Sequence, residues 1–231
     1  MFRNIGTWIS SLQQDPLGTL LEILFMIVAL LLSLILHEMG HAVVALKCGD
    51  PTAKMMGRIS LDPRKHLDPI GMICMFFLGI GWARPVPINP YNFRHRNRDI
   101  ILVSFAGIFV NLILFLLSTF LYVLCFRGSG SFVDYAQHFL MIMLSYNISL
   151  AIFNLVPVPP LDGYRLVNQI FFRGRLDQSL TPQTMQIIHF GFLFICLSGV
   201  LSNAMSRICS FLMLNTANLF ANILQMGFKF V

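Results

Sequence analysis

The stretch LLEILFMIVALLLSLILHEMGHAVVAL, residues 20–46, decides the reading of this chain. It is apolar except for Glu22, Ser33 and the group His37, Glu38, Met39, Gly40 and His41. At about 1.5 Å per residue a helix of this length covers roughly 40 Å, enough to cross a hydrocarbon core of about 30 Å. The whole sequence agrees with a lipid environment. Of 231 residues 56% are hydrophobic and 11% charged, with a mean hydropathy of +0.74. An ordinary soluble domain carries about 25% charged residues, so a soluble enzyme and a disordered chain are both excluded as starting points.

Further apolar runs at about 100–126 and 135–156 predict two more core spans, the second ended by Pro157. Runs at about 185–201 and 208–228 predict C-terminal helices. The last is either a span or an interfacial helix, because Asn215, Asn218, Asn222 and Gln225 recur along it. Ile70 to Trp82 is too short to cross and reads as a re-entrant or interfacial hairpin. Ala53 to Leu61 has a strand-like pattern, and the prolines of residues 84–90 force extended backbone. The expectation is one membrane-embedded domain over residues 1–231, all-α and polytopic, with about 4–6 transmembrane helices and a small strand and hairpin element within about 53–98.

The net charge of +6 is a topology signal. Twelve of the sixteen Lys and Arg residues lie between the first and second spans or after the third, which places those loops in the cytoplasm and the N-terminus outside. This distribution argues against a nucleic-acid partner and for a multi-pass protein of the cell membrane. The five cysteines form no CxxC and read as packing residues. The first apolar run is too long for a signal-peptide core, so it is expected to remain in the mature protein.

His37 and His41, at i and i+4, lie on one face of a helix, a spacing that lets two imidazoles hold one zinc ion. Glu38, next in sequence, is placed to take a proton from water at the metal. His37 lies about 26 Å along the apolar run, where ionisable groups are costly and call for a partner. A catalytic zinc site takes a third protein ligand. Asp162 is the candidate, in the segment NLVPVPPLDG at 154–163, which emerges on the same side as the histidines. Pro157, Pro159 and Pro160 keep that segment extended, and Gly163 permits close backbone approach beside the acid.

HEMGH at 37–41 with NLVPVPPLDG at 154–163 resembles the paired motifs of the site-2 protease family of intramembrane zinc metalloproteases. The resemblance continues through GRISLDPRKHLDPIG at 57–71, GWARPVPINPYNFR at 81–94 and SFAGIFVN at 104–111, as in short bacterial and archaeal members. One departure is that Ile108 stands where the family commonly has proline in its AGPxxN segment. The resemblance implies a three-helix core holding one zinc through His37, His41 and Asp162. It also implies Glu38 as catalytic base, Asn154 as a substrate-holding residue, a prokaryotic membrane, and a transmembrane protein or peptide as substrate. There is no room between the motifs for the PDZ insert of longer relatives.

The expected chemistry is hydrolysis of a peptide bond in or near a transmembrane helix, at a site open toward the cytoplasm. Substrate addition to a strand near residues 53–61 is a further expectation. The alternatives are a catalytically silent zinc-binding scaffold or chaperone and, ranked last, a metal transporter, since few ionisable residues lie on the other spans. His66 reads as a solvated or structural residue. His95, His138 and His189 read as surface or packing residues, and Asn111 and Asn147 as interhelical hydrogen-bonding groups.

Overall fold

The computed structural model describes residues 5–68, 70–71, 84–227 and 229–230, and these are helical with connecting loops. In chain order the helices are α1 (Ile5–Gln14), α2 (Pro16–Lys47), α3 (Thr52–Met55), α4 (Arg96–Cys125) and α5 (Ser131–Leu155). They continue with α6 (Asp162–Phe172), α7 (Leu176–Ser179), α8 (Pro182–Leu197) and α9 (Val200–Ile223). Single 3-10 turns lie at Pro63–Lys65 and Pro90–Asn92.

α2 starts where Asp15 caps it, its carboxylate accepting from the Gly18 amide at 3.0 Å, with Pro16 in the first turn. Its buried row is Ala29, Ser33, His37, His41 and Ala45, spaced by four residues. Small side chains in that row let neighbouring helices approach, while Leu20, Leu24, Ile27 and Leu32 face outward, as lipid solvation favours. α4 is the central element, packing against α2, α5, α6 and α9. Asp99 in its first turn accepts from the His95 amide at 2.8 Å. α5 stops at Leu155, as Pro157 requires.

The chain is thus a polytopic, all-helical membrane protein. α2, α4 and α5 are each long and apolar enough to cross a membrane. The expected C-terminal pair differs in detail. α8 and α9 meet at a 65° bend, the geometry of a broken span or a re-entrant loop, so the described residues hold three candidate spans or, with the bent pair, four. The break falls at Gly199, whose φ of +78° lies in the left-handed region, and α9 then runs unbroken past Arg207.

Two expectations for the loop after α2 need correction. The strand over residues 53–61 is not formed: Thr52–Met55 is a helical turn, followed by bends, and among the described residues only an isolated bridge position occurs, at Leu67. The cause is Asp50, which accepts from both the amide and the hydroxyl of Thr52 and so starts a turn where the apolar pattern suggests extension. The docking of substrate on that strand falls with it. The hairpin expected at 70–82 lies almost wholly outside the described residues. Residues 84–89 carry no helix or strand, consistent with their prolines, and Asn89 is extended.

Asp50 also accepts from the Asn89 amide at 2.7 Å and the Asn92 side chain at 2.8 Å, tying the end of α2 to the turn before α4. Burial opposes ionisation of this carboxyl, but its four hydrogen bonds outweigh burial and hold it below the usual carboxylate range. A depressed folded-state pKa adds stability that is complete above about pH 4 and lost as the pH falls through the folded value. Thermal unfolding in detergent should therefore show Asp50→Asn less stable than wild type at neutral pH, with the gap closing on acidification below about pH 4. A gap independent of pH would refute this account of Asp50.

Candidate metal centre

His37 and His41 lie one turn apart on α2 with ring centroids 4.7 Å apart and ring planes at 83°. Their Nε2 atoms are 3.1 Å from each other. Asp162, the first residue of α6, places Oδ2 3.2 Å from His37 Nε2 and 3.1 Å from His41 Nε2. All three side chains are buried, and their potential ligand atoms lie within 4.8 Å of one another.

Local backbone explains why Asp162 arrives there. α6 begins against the end of α5, and a Cβ on Gly163 would lie 2.5 Å from the Leu155 carbonyl carbon and 2.6 Å from the Val156 oxygen. Only glycine fits that approach.

The outer imidazole nitrogens are held by α4. His41 Nδ1 donates to the Val103 carbonyl at 2.7 Å, which leaves the Nε2 lone pair facing Asp162. The Asn111 amide lies 3.1 Å from His37 Nδ1, and Asn111 Oδ1 is otherwise buried without a partner. Half a turn of that amide lets Oδ1 accept from His37 Nδ1–H and gives both rings the same tautomer.

Between these two contacts sits Gly107. A Cβ there would lie 2.6 Å from His37 Nε2 and would crowd His41 Nε2 as well. The bare glycine thus leaves an atom-sized space in front of three converging acceptors. Asp162 Oδ2 is itself a buried acceptor with no conventional hydrogen-bond partner. Two imidazoles, a carboxylate and this cradle fit a zinc ion.

Glu38 Oε2 accepts from the Val86 amide at 2.9 Å. The extended segment around Val86 is held in turn by Arg58, whose guanidinium donates to the carbonyls of Arg84 and Pro85. Asn154 is not drawn to the cluster in the same way; its amide donates to Leu150 on its own helix at 3.0 Å. Asn147 donates to Ser33 at 2.9 Å, linking α5 to α2 one turn before His37. The interhelical roles read for Asn111 and Asn147 are therefore observed, although the imidazole partner of Asn111 was not foreseen.

His66 is wholly buried, not solvated, with Nε2 donating to the Ser60 carbonyl at 2.7 Å. His138 packs near the Phe25 ring, and His189 is exposed.

The model of "Peptidase family M50" matches residues 125–199, a segment that contains Asn154 and Asp162 but not the histidine pair. The Bacillus subtilis (strain 168) protein named "Putative zinc metalloprotease YwhC" is 39% identical over 175 residues, covering 74% of this chain and 80% of its own. The chain belongs to peptidase family M50. Membership in this family, the site-2 proteases, makes it a zinc-dependent metalloprotease. More distant M50 relatives carry the same style of name. Rip2 of Mycobacterium tuberculosis (strain ATCC 25618 / H37Rv) is 29% identical over 187 residues, spanning 78% of this chain and 67% of Rip2. Rip2 of Mycolicibacterium smegmatis (strain ATCC 700084 / mc(2)155) is 28% identical over 202 residues, spanning 81% and 71%. No solved structure matches the chain significantly.

Proposed function

We propose that this M50 protein hydrolyses a peptide bond in or near a transmembrane helix of a membrane-protein substrate, with His37, His41 and Asp162 holding zinc and Glu38 acting as general base. The observation that carries the reading is the convergence of three buried acceptor atoms beside Glu38, inside a bundle long and apolar enough to span a bilayer. Bound zinc supplies Lewis acidity, which polarises a carbonyl and makes water a nucleophile near neutral pH.

The chain's own groups do the rest. Val103 and Asn111 fix both imidazoles with Nε2 inward, and the Val86 amide orients Glu38 through one oxygen. The other Glu38 oxygen takes the proton of the attacking water and later delivers it to the leaving amine. Asn154, in the segment shared with the family motif, is assigned to holding the substrate backbone. The basic loops argue for a site that opens toward the cytoplasm. A structural zinc site is closed by four protein ligands, whereas this group contains three among the described residues, which favours hydrolysis over a silent scaffold.

The test is zinc content and cleavage of a generic transmembrane substrate by detergent-purified protein. Wild type should hold about one zinc per chain and cleave, and Asp162→Ala should bind zinc at least about tenfold more weakly. Equal zinc affinity in the two proteins would remove Asp162 from the site.

A further inference from the structure

α6 starts at Asp162 and ends at Phe172, about 15 Å away along its axis. Tyr164, Leu166 and Asn168 are buried, and α6 packs against α4. Its last residues are not covered: Ile170, Phe171 and Phe172 are 52%, 73% and 44% exposed. The helix stops because Arg173 and Gly174 adopt φ of +52° and +79°, with the Gly174 amide closing on the Asn168 carbonyl at 3.1 Å. This reversal brings Arg173 and Arg175 beside Phe171 and Phe172 around a cavity of about 280 Å3.

Both arginines are exposed, and neither has an ion-pair partner among the described residues. The acid closest to them in sequence, Asp177, accepts from the Tyr164 hydroxyl at 2.8 Å. The patch is therefore cationic and apolar at once. α6 follows the apolar span α5 after only a short loop, and its far end leaves Ile170, Phe171 and Phe172 exposed.

We propose that Phe171, Phe172, Arg173 and Arg175 form a binding site for the headgroup of an anionic phospholipid. Guanidinium groups match phosphate oxygens in a two-pronged fashion, and aromatic rings settle at headgroup depth. The exposed rings call for an apolar phase that a soluble anion does not bring. Two arginines with no ion-pair partner among the described residues favour a net-negative headgroup over a zwitterionic one. The bound lipid would grip the far end of the short helix that begins with Asp162, so lipid composition would bear on the placement of that carboxylate.

The experiment reconstitutes the full chain in phosphatidylcholine nanodiscs with a minor fraction of phosphatidylglycerol and measures which lipid stays with the protein on extraction. Wild type should enrich phosphatidylglycerol, and Arg173→Gln/Arg175→Gln should lose that enrichment by about fivefold per arginine. The charge-matched Lys54→Gln/Arg207→Gln protein should keep it. Three results would overturn the site: unchanged enrichment in the arginine variant, equal loss in the control, or displacement of the lipid by inorganic phosphate. Lipid retention is read without proteolysis, so failure here leaves the protease reading standing, and failure of that reading leaves the lipid site standing.

Discussion

Glu38→Gln is expected to keep its zinc and lose cleavage by about 10²- to 10⁴-fold, the range attributed to a positioned general base. The substitution is chosen because it changes little else. Glutamine has the same shape, and its carbonyl oxygen can still accept from the Val86 amide that Glu38 Oε2 engages at 2.9 Å. Arg58 then continues to hold the 84–86 segment through the Arg84 and Pro85 carbonyls. What disappears is a basic oxygen able to take a proton. Metal analysis with cleavage of a transmembrane substrate separates the two effects. Retained cleavage at wild-type rate would leave the metal in a structural role and remove Glu38 from the chemistry.

Gly107→Ala is expected to abolish zinc binding and cleavage together, although it adds a single methyl group. That methyl carbon would lie 2.6 Å from His37 Nε2 and 2.5 Å from His37 Cε1, in the space the three acceptors face. To relieve the clash the imidazoles must turn away or α2 and α4 must separate, and either movement breaks the convergence of His37, His41 and Asp162. Intrinsic preference runs the other way: alanine favours a helix over glycine by about 1 kcal/mol, so the variant has no local reason to unfold. Circular dichroism should therefore show wild-type helix content beside a metal content near zero. Full zinc occupancy would mean that the cradle is wider than the geometry indicates.

Much of this was legible in the residues. The span carrying His37 and His41 announces itself by length and apolarity, and Asp162 follows from threading the chain through its spans. Pro157 marks the end of α5 correctly because a missing amide donor leaves no alternative. The failures lie where a single residue overrides the apolar pattern around it. Asp50 turns Thr52–Met55 into a helical turn against its strand-like pattern. Gly199, unremarkable in a long apolar region, stands at the 65° bend of the C-terminal pair, where the pattern reads as two separate helices. Gly107 is invisible for a different reason. Its importance lies in an atom it lacks, and only the opposing imidazoles reveal it. Asn111 was recognised as a residue needing a partner, but composition alone could not say that the partner is His37.

Val103, Gly107 and Asn111 recur every four residues along α4 and oppose His37 and His41, which have the same spacing on α2. The two helices therefore mesh like racks of equal pitch. One tooth is about 6 Å, so no small slide preserves part of the engagement while sacrificing the rest. Shifting α4 by a tooth would present a side chain where the bare backbone now sits, and would take Asn111 away from His37. The alignment of this centre is accordingly all or none, and damage anywhere along the α2–α4 seam should register as a loss of metal before it registers as a loss of fold.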